Sequence, residues 1–339
     1  MDQAKLIFII IMSIVAGLIV LYFAYLSFVF LLINKKLNIR YDGNPLLRYF
    51  TYEDFPDLKA EPFSFKTKNG NKLRGNIYTS SEVIDFNKVI IFFHGIGTGQ
   101  LAYTKEINRL VKDNKIAVIA YDYHGTGASE GKNIIDLNWA LVDADYFLKY
   151  LKTEPRFIDS DLILLGHSWG GLVAGNIISL NLDPRIKKTI VLNGLPSVGE
   201  MAAQYVKGKV VARVFYHLLS RIKMKQYANK ETYKSLKQRR IPALIVHGEL
   251  DPLVPIKLLD PLFALAKKVD YIDALKYPHH HHFVYLTPTA EEELRKMQTQ
   301  IKKLKDEELH NYAKTIDYDL IGQQNEQLFE TISQFIRRG

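Results

Sequence analysis

A serine flanked by glycines is the residue of this sequence whose surroundings most clearly indicate chemistry. Residues 166–170 read GHSWG and fit the pattern G-x-S-x-G, between an apolar run at 162–165 and a helical pattern at 172–180. A strand that turns abruptly into a helix strains the backbone at its apex, and small neighbours leave room for that residue. We therefore predict that Ser168 is a nucleophile whose Oγ projects over the positive end of the next helix.

The elements that must position this serine alternate between strand and helix. Two alternating runs flank Asn69-Gly70, which is a strong signal for a β-hairpin. After it, we predict strands at 88–93, 116–121, 162–165, 189–192, 243–246 and 271–277, and helices at 101–111, 137–151 and 172–180. This alternation predicts right-handed crossovers and a mostly parallel sheet with helices on both faces.

Together with the serine segment, three other segments resemble the α/β-hydrolase superfamily, from about residue 61 to the C-terminus. Residues 92–97 (FFHGIG) are similar to the strand-end motif that carries part of the oxyanion hole. Residues 121–131 (YDYHGTGASEG) resemble the D-x-R-G-x-G-x-S-x-G loop of lipase and monoacylglycerol-lipase-like members, with His124 in place of the arginine. Residues 246–255 (VHGELDPLVP) resemble the HGxxDxxVP segment. The resemblance implies an α/β-hydrolase fold with a helical lid.

The resemblance implies that Asp251 is the acid of a catalytic triad. A carboxylate just after a strand can fix the tautomer of an imidazole and stabilise the imidazolium that forms during attack. A turn-forming aspartate before Pro252 is the alternative interpretation. Asp122 and Glu249 are the rival acids, which we rank lower.

A run of four histidines, 279–282, follows the last predicted strand. Superfamily members usually carry P-G-x-G-H here, and counting from Pro278 implies His282 as the general base, with His281 in its place if the loop shifts by one residue. An imidazole suits this role because its pKa lies near neutral pH. Consecutive histidines cannot easily converge on one tetrahedral ion, so we expect no metal and no cofactor.

Two backbone N–H groups are expected to form the oxyanion hole, one from the residue after the nucleophile and one from the loop after the first parallel strand. In this sequence they belong to Trp169 and Ile96. We expect His94 to orient that loop instead of transferring protons.

An uncharged apolar segment precedes the hydrolase-like region. It runs from Leu6 to Ile33, and about 20 apolar residues are enough to cross a bilayer core. It is too long for the 7 to 15 apolar residues of a cleaved signal peptide, and a buried core helix is the other alternative. We predict a single-pass transmembrane anchor at 1–34, then a lead-in linker at 35–60 and the catalytic domain at 61–339.

The charges limit location and partners. Lys5 precedes the apolar segment, whereas Lys35, Lys36, Arg40 and Arg48 follow it, so the positive-inside rule predicts a cytoplasmic catalytic domain. The net charge of +9 is compatible with nucleic acid, an anionic membrane or a solvated basic face, but no stacking-aromatic or zinc-finger pattern favours nucleic acid. The absence of cysteine excludes disulfides, a thiolate nucleophile and Cys-ligated zinc.

Two helical insertions are predicted within the catalytic domain, a lid at about 196–237 and a surface helix at about 289–314. Apolar residues of the lid fall on one helical face and basic residues on the other. The lid helix therefore either packs on the core with a solvated basic face or lies on anionic lipid. The apolar residues are Val206, Val210, Val211, Val214, Phe215, Leu218, Leu219 and Ile222.

These features predict a membrane-anchored serine hydrolase that cleaves carboxylic ester or thioester bonds. An acyl-enzyme would form on Ser168, and water activated by His282 would release it. The anchor favours lipid or small acyl-ester substrates by proximity, with the bilayer itself as the other partner. The alternatives are an acyltransferase and a catalytically silent binding or scaffold protein on the same fold.

Overall fold

The computed structural model describes residues 2–97, 99–204, 206 and 208–338, and its centre is one eight-stranded sheet. The strand order is β1-β2-β4-β3-β5-β6-β7-β8; β2 pairs antiparallel with β1 and β4, and all other pairs are parallel. This is the topology of the α/β-hydrolase fold, and it confirms the predicted mostly parallel sheet. The strands are β1 (Lys59–Lys66), β2 (Lys72–Thr79), β3 (Lys88–Phe93), β4 (Ala117–Tyr121), β5 (Asp161–His167), β6 (Ile186–Leu192), β7 (Ala243–Gly248) and β8 (Ile272–Tyr277).

Helices cover both faces of the sheet, because the central strands are apolar on both sides. Along β3, Val89, Ile91 and Phe93 face a core shared with α3, α4 and α8, whereas Ile90 and Phe92 face α2 and α12. The helices are α1 (Gln3–Leu37), α2 (Thr104–Asn114), α3 (Trp139–Leu151), α4 (Trp169–Leu180), α5 (Val198–Ala203), α6 (Lys209–Met224), α7 (Thr232–Arg239), α8 (Asp260–Ala266), α9 (Pro288–Ile301), α10 (Asp306–Ala313), α11 (Tyr318–Ile321) and α12 (Glu326–Arg337).

The predicted elements differ from the observed ones mainly at their ends. The hairpin forms as predicted, with a turn at 67–71 in which Gly70 has a positive φ of 85°. β5 runs on to His167, beyond the apolar run, because Gly166 and His167 still pair with β6. α2 begins at Thr104 because the preceding four residues form a 3-10 turn.

The lid helix forms as α6, but the interpretation that its apolar face packs on the core is wrong. The side that turns inward carries Ala212, Tyr216, Ser220 and Met224, which are four residues apart and share one face of the helix. The predicted apolar face is instead largely exposed, at Val210, Val211, Val214, Leu218, Leu219 and Ile222.

The N-terminal apolar segment forms α1, which is about 50 Å long at about 1.5 Å per residue. Within the described part of the chain it is the one helix whose length and apolarity allow it to cross a membrane, and its most apolar stretch is not buried. Its contacts with the catalytic domain lie in its C-terminal half, from Tyr22 onward, and Leu26 and Phe30 are buried there against α6 and the segment before it.

The segment after α1 is held tightly to the loop that follows β4. The Arg40 guanidinium donates to the carbonyl oxygens of Gly127 at 2.6 Å, Ser129 at 3.0 Å and Gly131 at 2.7 Å. Arg40, which the sequence analysis counted only as a flanking charge, therefore attaches the end of α1 to the catalytic domain.

Candidate active site

Ser168 lies at a sharp turn between β5 and α4, with φ 56° and ψ −115°. Glycines on either side are required by close backbone approaches. A Cβ added at Gly166 would lie 2.1 Å from the carbonyl oxygen of Gly170, and one added at Gly170 would lie 1.9 Å from that of Phe93. The turn therefore presents the serine at the carboxyl edge of the sheet, as its sequence pattern predicts.

Ser168, His282 and Asp251 lie in one hydrogen-bonded row, and all three are buried. The Ser168 Oγ is 2.8 Å from His282 Nε2, and His282 Nδ1 is 2.8 Å from Asp251 Oδ2. An ionised carboxylate can only accept hydrogen bonds, so the neutral imidazole carries its proton on Nδ1. Its Nε2 therefore accepts a hydrogen bond from the serine hydroxyl. The arrangement can remove a proton from Ser168 and stabilise the resulting imidazolium.

Four donors surround the Asp251 carboxylate. Its Oδ1 accepts from the N–H groups of Leu253 at 2.8 Å and Val254 at 2.9 Å, and its Oδ2 accepts from His282 and, at 2.8 Å, from Asn193 Nδ2. Burial alone raises the pKa of Asp251, but the hydrogen bond and charge of His282, with the Val254 and Asn193 donors, lower it to about 2. The carboxylate therefore stays ionised beside the imidazole. Asn193 was not found from the sequence, since no motif marks it.

The four consecutive histidines point in different directions. His279 is exposed, with a left-handed φ of 65°, at a position where a glycine is common in the superfamily. His280 is buried, and His281 is half-buried with its Nδ1 2.9 Å from a carbonyl oxygen of the loop that holds the acid. The structure therefore places His282, and not His281, on Ser168.

A buried glutamate of α9 holds the backbone on both sides of His282. Glu291 Oε2 accepts from the His281 N–H at 2.8 Å, and Oε1 accepts from the Phe283 N–H at 2.6 Å. The side chain has no exposed surface. The sequence predicts only a surface helix here and does not reveal Glu291, because nothing local distinguishes this residue from its acidic neighbours.

A chain of buried hydrogen bonds joins the loop after β3, the turn at Ser168 and His282. The Gly95 N–H donates to the Tyr103 hydroxyl at 3.1 Å, which donates to His167 Nδ1 at 2.9 Å. His167 Nε2–H then donates to the carbonyl oxygen of His282 at 2.8 Å. Burial lowers the pKa of His167 to about 3, so its ring is neutral and can both accept and donate in this way.

Ile96 and Trp169, the predicted oxyanion residues, line the same cavity as Ser168. Trp169 is the first residue of α4, where a backbone N–H has no partner within the helix. Its indole is buried and donates to the Leu137 carbonyl at 2.8 Å, which leaves the backbone as its contribution to the site. His94 is buried behind this loop, and its Nδ1 lies 2.6 Å from the Gly95 carbonyl oxygen.

The rival acids lie outside the hydrogen-bonded row. Asp122 accepts hydrogen bonds from the N–H groups of Gln100 at 2.7 Å and Ala128 at 2.8 Å, and so connects the loops that follow β3 and β4. Burial raises its pKa to about 6 against the effect of these donors. Glu249 is exposed. His124, from the same loop as Asp122, bonds to the turn between β1 and β2 instead of facing the serine.

A cavity of about 430 Å³ opens over Ser168 and His282. Its walls are mainly apolar and come from the catalytic loops, from α5 and α6, and from the last turns of α1. A mainly apolar cavity with a few polar groups suits a ligand with a hydrocarbon portion.

Comparisons with known proteins agree with this geometry. Residues 85–236 match the family described as Serine aminopeptidase, S33. The uncharacterised protein YfhR of Escherichia coli is 24% identical over 228 residues, which are 66% of this chain and 75% of YfhR. Protein bem46 of Schizosaccharomyces pombe is 24% identical over 213 residues, 62% of this chain and 66% of bem46. The Pyrococcus furiosus esterase Pf2001 superposes with a TM-score of 0.55 at 18% identity, covering 78% of this chain and 98% of that one.

The chain has the α/β-hydrolase fold. Its match to a hydrolase family supports a hydrolytic activity, and its likeness to Pf2001 shows the fold. Among the described residues, no three His, Asp or Glu side chains are grouped as ligands of a metal ion would be.

Proposed function

We propose that this protein is a membrane-anchored serine hydrolase that cleaves carboxylic ester or thioester bonds of acyl-chain substrates. The observation that carries the proposal is the row of Ser168, His282 and Asp251, with 2.8 Å between successive partners, at the base of an apolar cavity. The family match to hydrolases supports it.

The chemistry follows from the protonation states in this row. Ser168 Oγ attacks the acyl carbonyl while its proton passes to His282 Nε2, and Asp251 stabilises the imidazolium. The N–H groups of Ile96 and Trp169 stabilise the oxyanion of the tetrahedral intermediate. When the intermediate collapses, His282 returns the proton to the departing alcohol or thiol, and the acyl group stays on the serine.

Water completes the cycle. His282 Nε2 takes a proton from a water molecule as the hydroxide adds to the acyl carbonyl. When the second tetrahedral intermediate collapses, the bond to Ser168 Oγ breaks, His282 returns the proton to that oxygen, and the carboxylic acid leaves. Transfer of the same acyl group to an alcohol would make the protein an acyltransferase.

Features of the cavity favour acyl substrates over peptides with a free amino terminus. Recognition of an ammonium group requires an available carboxylate close to the scissile bond. Asp136 lines the cavity, but it accepts from the Asn138 N–H at 2.8 Å and lies 3.6 Å from Lys223. The remaining walls suit a hydrocarbon chain.

We also propose that α1 is the membrane anchor and that the catalytic domain lies on the cytoplasmic side. The length and exposed apolar surface of α1 support the anchor, and the basic residues after it support the orientation. Protease protection of vesicles with known sidedness tests the orientation.

A fluorophosphonate probe that labels activated serines tests the catalytic proposal. The unaltered protein should be labelled and should hydrolyse a short soluble ester, and Ser168→Ala should abolish both while leaving the fold and membrane association intact. Ser179→Ala, a change of the same kind on α4, is the matched control and should behave as the unaltered protein. Absence of labelling in the unaltered protein would favour a silent binding or scaffold protein, and acyl transfer without hydrolysis would favour an acyltransferase.

A further inference from the structure

The last turns of α1 form a wall of the catalytic cavity. Phe30, Ile33 and Leu37 line it, and their spacing of three and four residues puts them on one face of the helix. Leu31, on the outward side of the same turns, is 67% exposed. An anchor that served only as a tether would not need to contribute side chains to the space above Ser168.

α6 supplies the adjoining wall and contacts α1 through aromatic rings. Phe215 lies 5.2 Å from Phe23 and 6.2 Å from Phe30 between ring centroids, and Tyr216 lies 5.6 Å from Phe30. Tyr216 also lines the cavity. The cavity is therefore bounded by two helices that contact each other.

The outward surfaces of these two helices form one apolar surface. On α6, Val210, Leu218 and Ile222 are 68%, 60% and 78% exposed, and they adjoin the exposed face of α1 through the Phe23–Phe215 contact. Apolar patches of this extent on a protein surface mark contact with a partner or a membrane.

The length of α1 indicates that the partner is a bilayer. The apolar run from Leu6 to Ile33 has 28 residues and a length of about 42 Å, whereas the hydrocarbon core is about 30 Å thick. The length of α1 beyond the thickness of the hydrocarbon core lies in the part that contacts α6. Exposed Lys35, Lys36, Arg221 and Lys225 at the ends of the two helices suit the level of anionic headgroups.

We propose that the substrate is a lipid ester resident in the bilayer, and that its acyl chain passes from the membrane into the cavity between α1 and α6. The acyl chain then lies against Phe30, Ile33 and Leu37 while its carbonyl reaches Ser168. This inference rests on the proposed hydrolase function and adds the source of the substrate, the route that it takes and the segment that selects it.

Lipid contact of α6 is tested by collisional quenching. Because the chain has no cysteine, Leu218→Cys gives a single site for an environment-sensitive fluorophore in the full-length protein. The labelled protein is reconstituted in phosphatidylcholine and phosphatidylglycerol vesicles that contain spin-labelled lipid. Ile84→Cys is the matched control. Ile84 is 90% exposed, but it lies just before β3, at the amino edge of the parallel strands, opposite the carboxyl edge where Ser168 lies. Quenching at position 218 and not at 84 is expected, and equal accessibility of both positions to an aqueous quencher would overturn the proposal.

The cavity wall is tested by two tryptophan substitutions on neighbouring turns. Ile33→Trp fills the proposed acyl path, and Leu31→Trp adds the same bulk on the outward face. For a palmitoyl ester in vesicles, Ile33→Trp should lower kcat/KM by about tenfold or more, as expected for a changed hydrocarbon fit. Leu31→Trp should cleave the palmitoyl ester and a soluble acetyl ester as the unaltered protein does, whereas Ile33→Trp should lower cleavage of the palmitoyl ester by a larger factor than cleavage of the acetyl ester.

The two esters separate the possible failures. If the unaltered protein cleaves neither ester, the proposed function fails, while the quenching result still decides whether α6 contacts lipid. If Ile33→Trp leaves palmitoyl-ester cleavage unchanged, or lowers cleavage of both esters equally, then α1 does not form the acyl path and the inference is overturned.

Discussion

At the residue scale, His282 is positioned by hydrogen bonds to the backbone around it as well as by those of its own side chain. Glu291 binds the N–H groups on both sides of His282, and His167 binds its carbonyl oxygen. Gly248 leaves space for this loop, because a Cβ added there would lie 2.1 Å from the His281 carbonyl oxygen. A loop fixed at this many points can direct only one of its imidazoles to the serine.

Alanine substitutions along the histidine run should therefore have unequal effects. His282→Ala removes the proton acceptor and should lower kcat/KM for a soluble ester by about 1,000-fold or more. His279→Ala, His280→Ala and His281→Ala should change it by less than about tenfold, since their side chains do not contact Ser168. Circular dichroism and thermal unfolding check that each variant folds. A severe loss confined to His281→Ala, or four equal mild losses, would contradict the assignment.

Glu291 is expected to act as a positioning residue. Glu291→Gln keeps the shape but turns an amide N–H₂ toward one of the two backbone N–H groups, which displaces the base. A displacement of about 1 Å can cost on the order of 100-fold in kcat. We expect kcat to fall while KM changes little, because the cavity walls are untouched. Glu292→Gln is the matched control, since Glu292 is exposed and pairs with Lys296 at 3.2 Å. Equal kinetics of the two variants would remove Glu291 from this role.

Local patterns explain which site residues can be predicted from the sequence. Ser168, Asp251 and His282 each stand in a short segment whose neighbours show the turn that presents them. Asn193 contacts Asp251, which is 58 positions further along the chain, and Glu291 contacts the histidine loop from a helix that follows it. Such contacts depend on how elements pack, so no short pattern reveals them.

At the scale of elements, the buried acid of α2 should make stability depend on pH. Glu106 is 6% exposed and faces an apolar layer, where burial raises its pKa from 4.5 to about 7. A carboxyl whose pKa is raised by folding stabilises the fold fully below its unfolded pKa, and this contribution is lost as pH rises through the folded value. The unaltered protein therefore loses stability from this group between pH 4.5 and about 7.

Glu106→Gln keeps the shape of the side chain and removes the titration. The difference in free energy of unfolding, variant minus unaltered protein, should rise by on the order of 1.4 kcal/mol per pH unit over that interval and then level off. Urea unfolding in detergent micelles from pH 4.5 to 8 measures it. A difference that stays constant or shrinks with rising pH would show that Glu106 is already ionised in the fold at low pH.

The sequence of α6 predicts the helix and its apolar face but not the surroundings of that face. The pattern predicts an amphipathic helix and its apolar face, and the helix forms as Lys209–Met224. Periodicity does not tell whether that face meets the protein core or a membrane. The core side is formed by Ala212, Ser220 and Met224, whose mixed character gives no signal in the sequence.

At the scale of the whole molecule, α1 and the catalytic domain form one unit. Arg40 attaches the end of the helix to the loop after β4, and Phe30 is buried against α6. Deleting residues 1–34 should therefore change more than membrane attachment, because it also removes three cavity-lining residues of α1, Phe30, Ile33 and Asn34.

The truncated protein should leave the tightly bound membrane fraction but keep a weaker association through α6. Salt distinguishes the two sources of such binding, because charge attraction is screened within about 3 Å at 1 M ionic strength and apolar insertion is not. We expect the remaining association to survive high salt and to be lost when Leu218→Glu is added to the truncated chain, whereas Ile84→Glu should not change it. Sedimentation with vesicles measures each step. If high salt alone releases the truncated protein, the basic residues of α6 hold it to the surface and its apolar face does not enter the hydrocarbon.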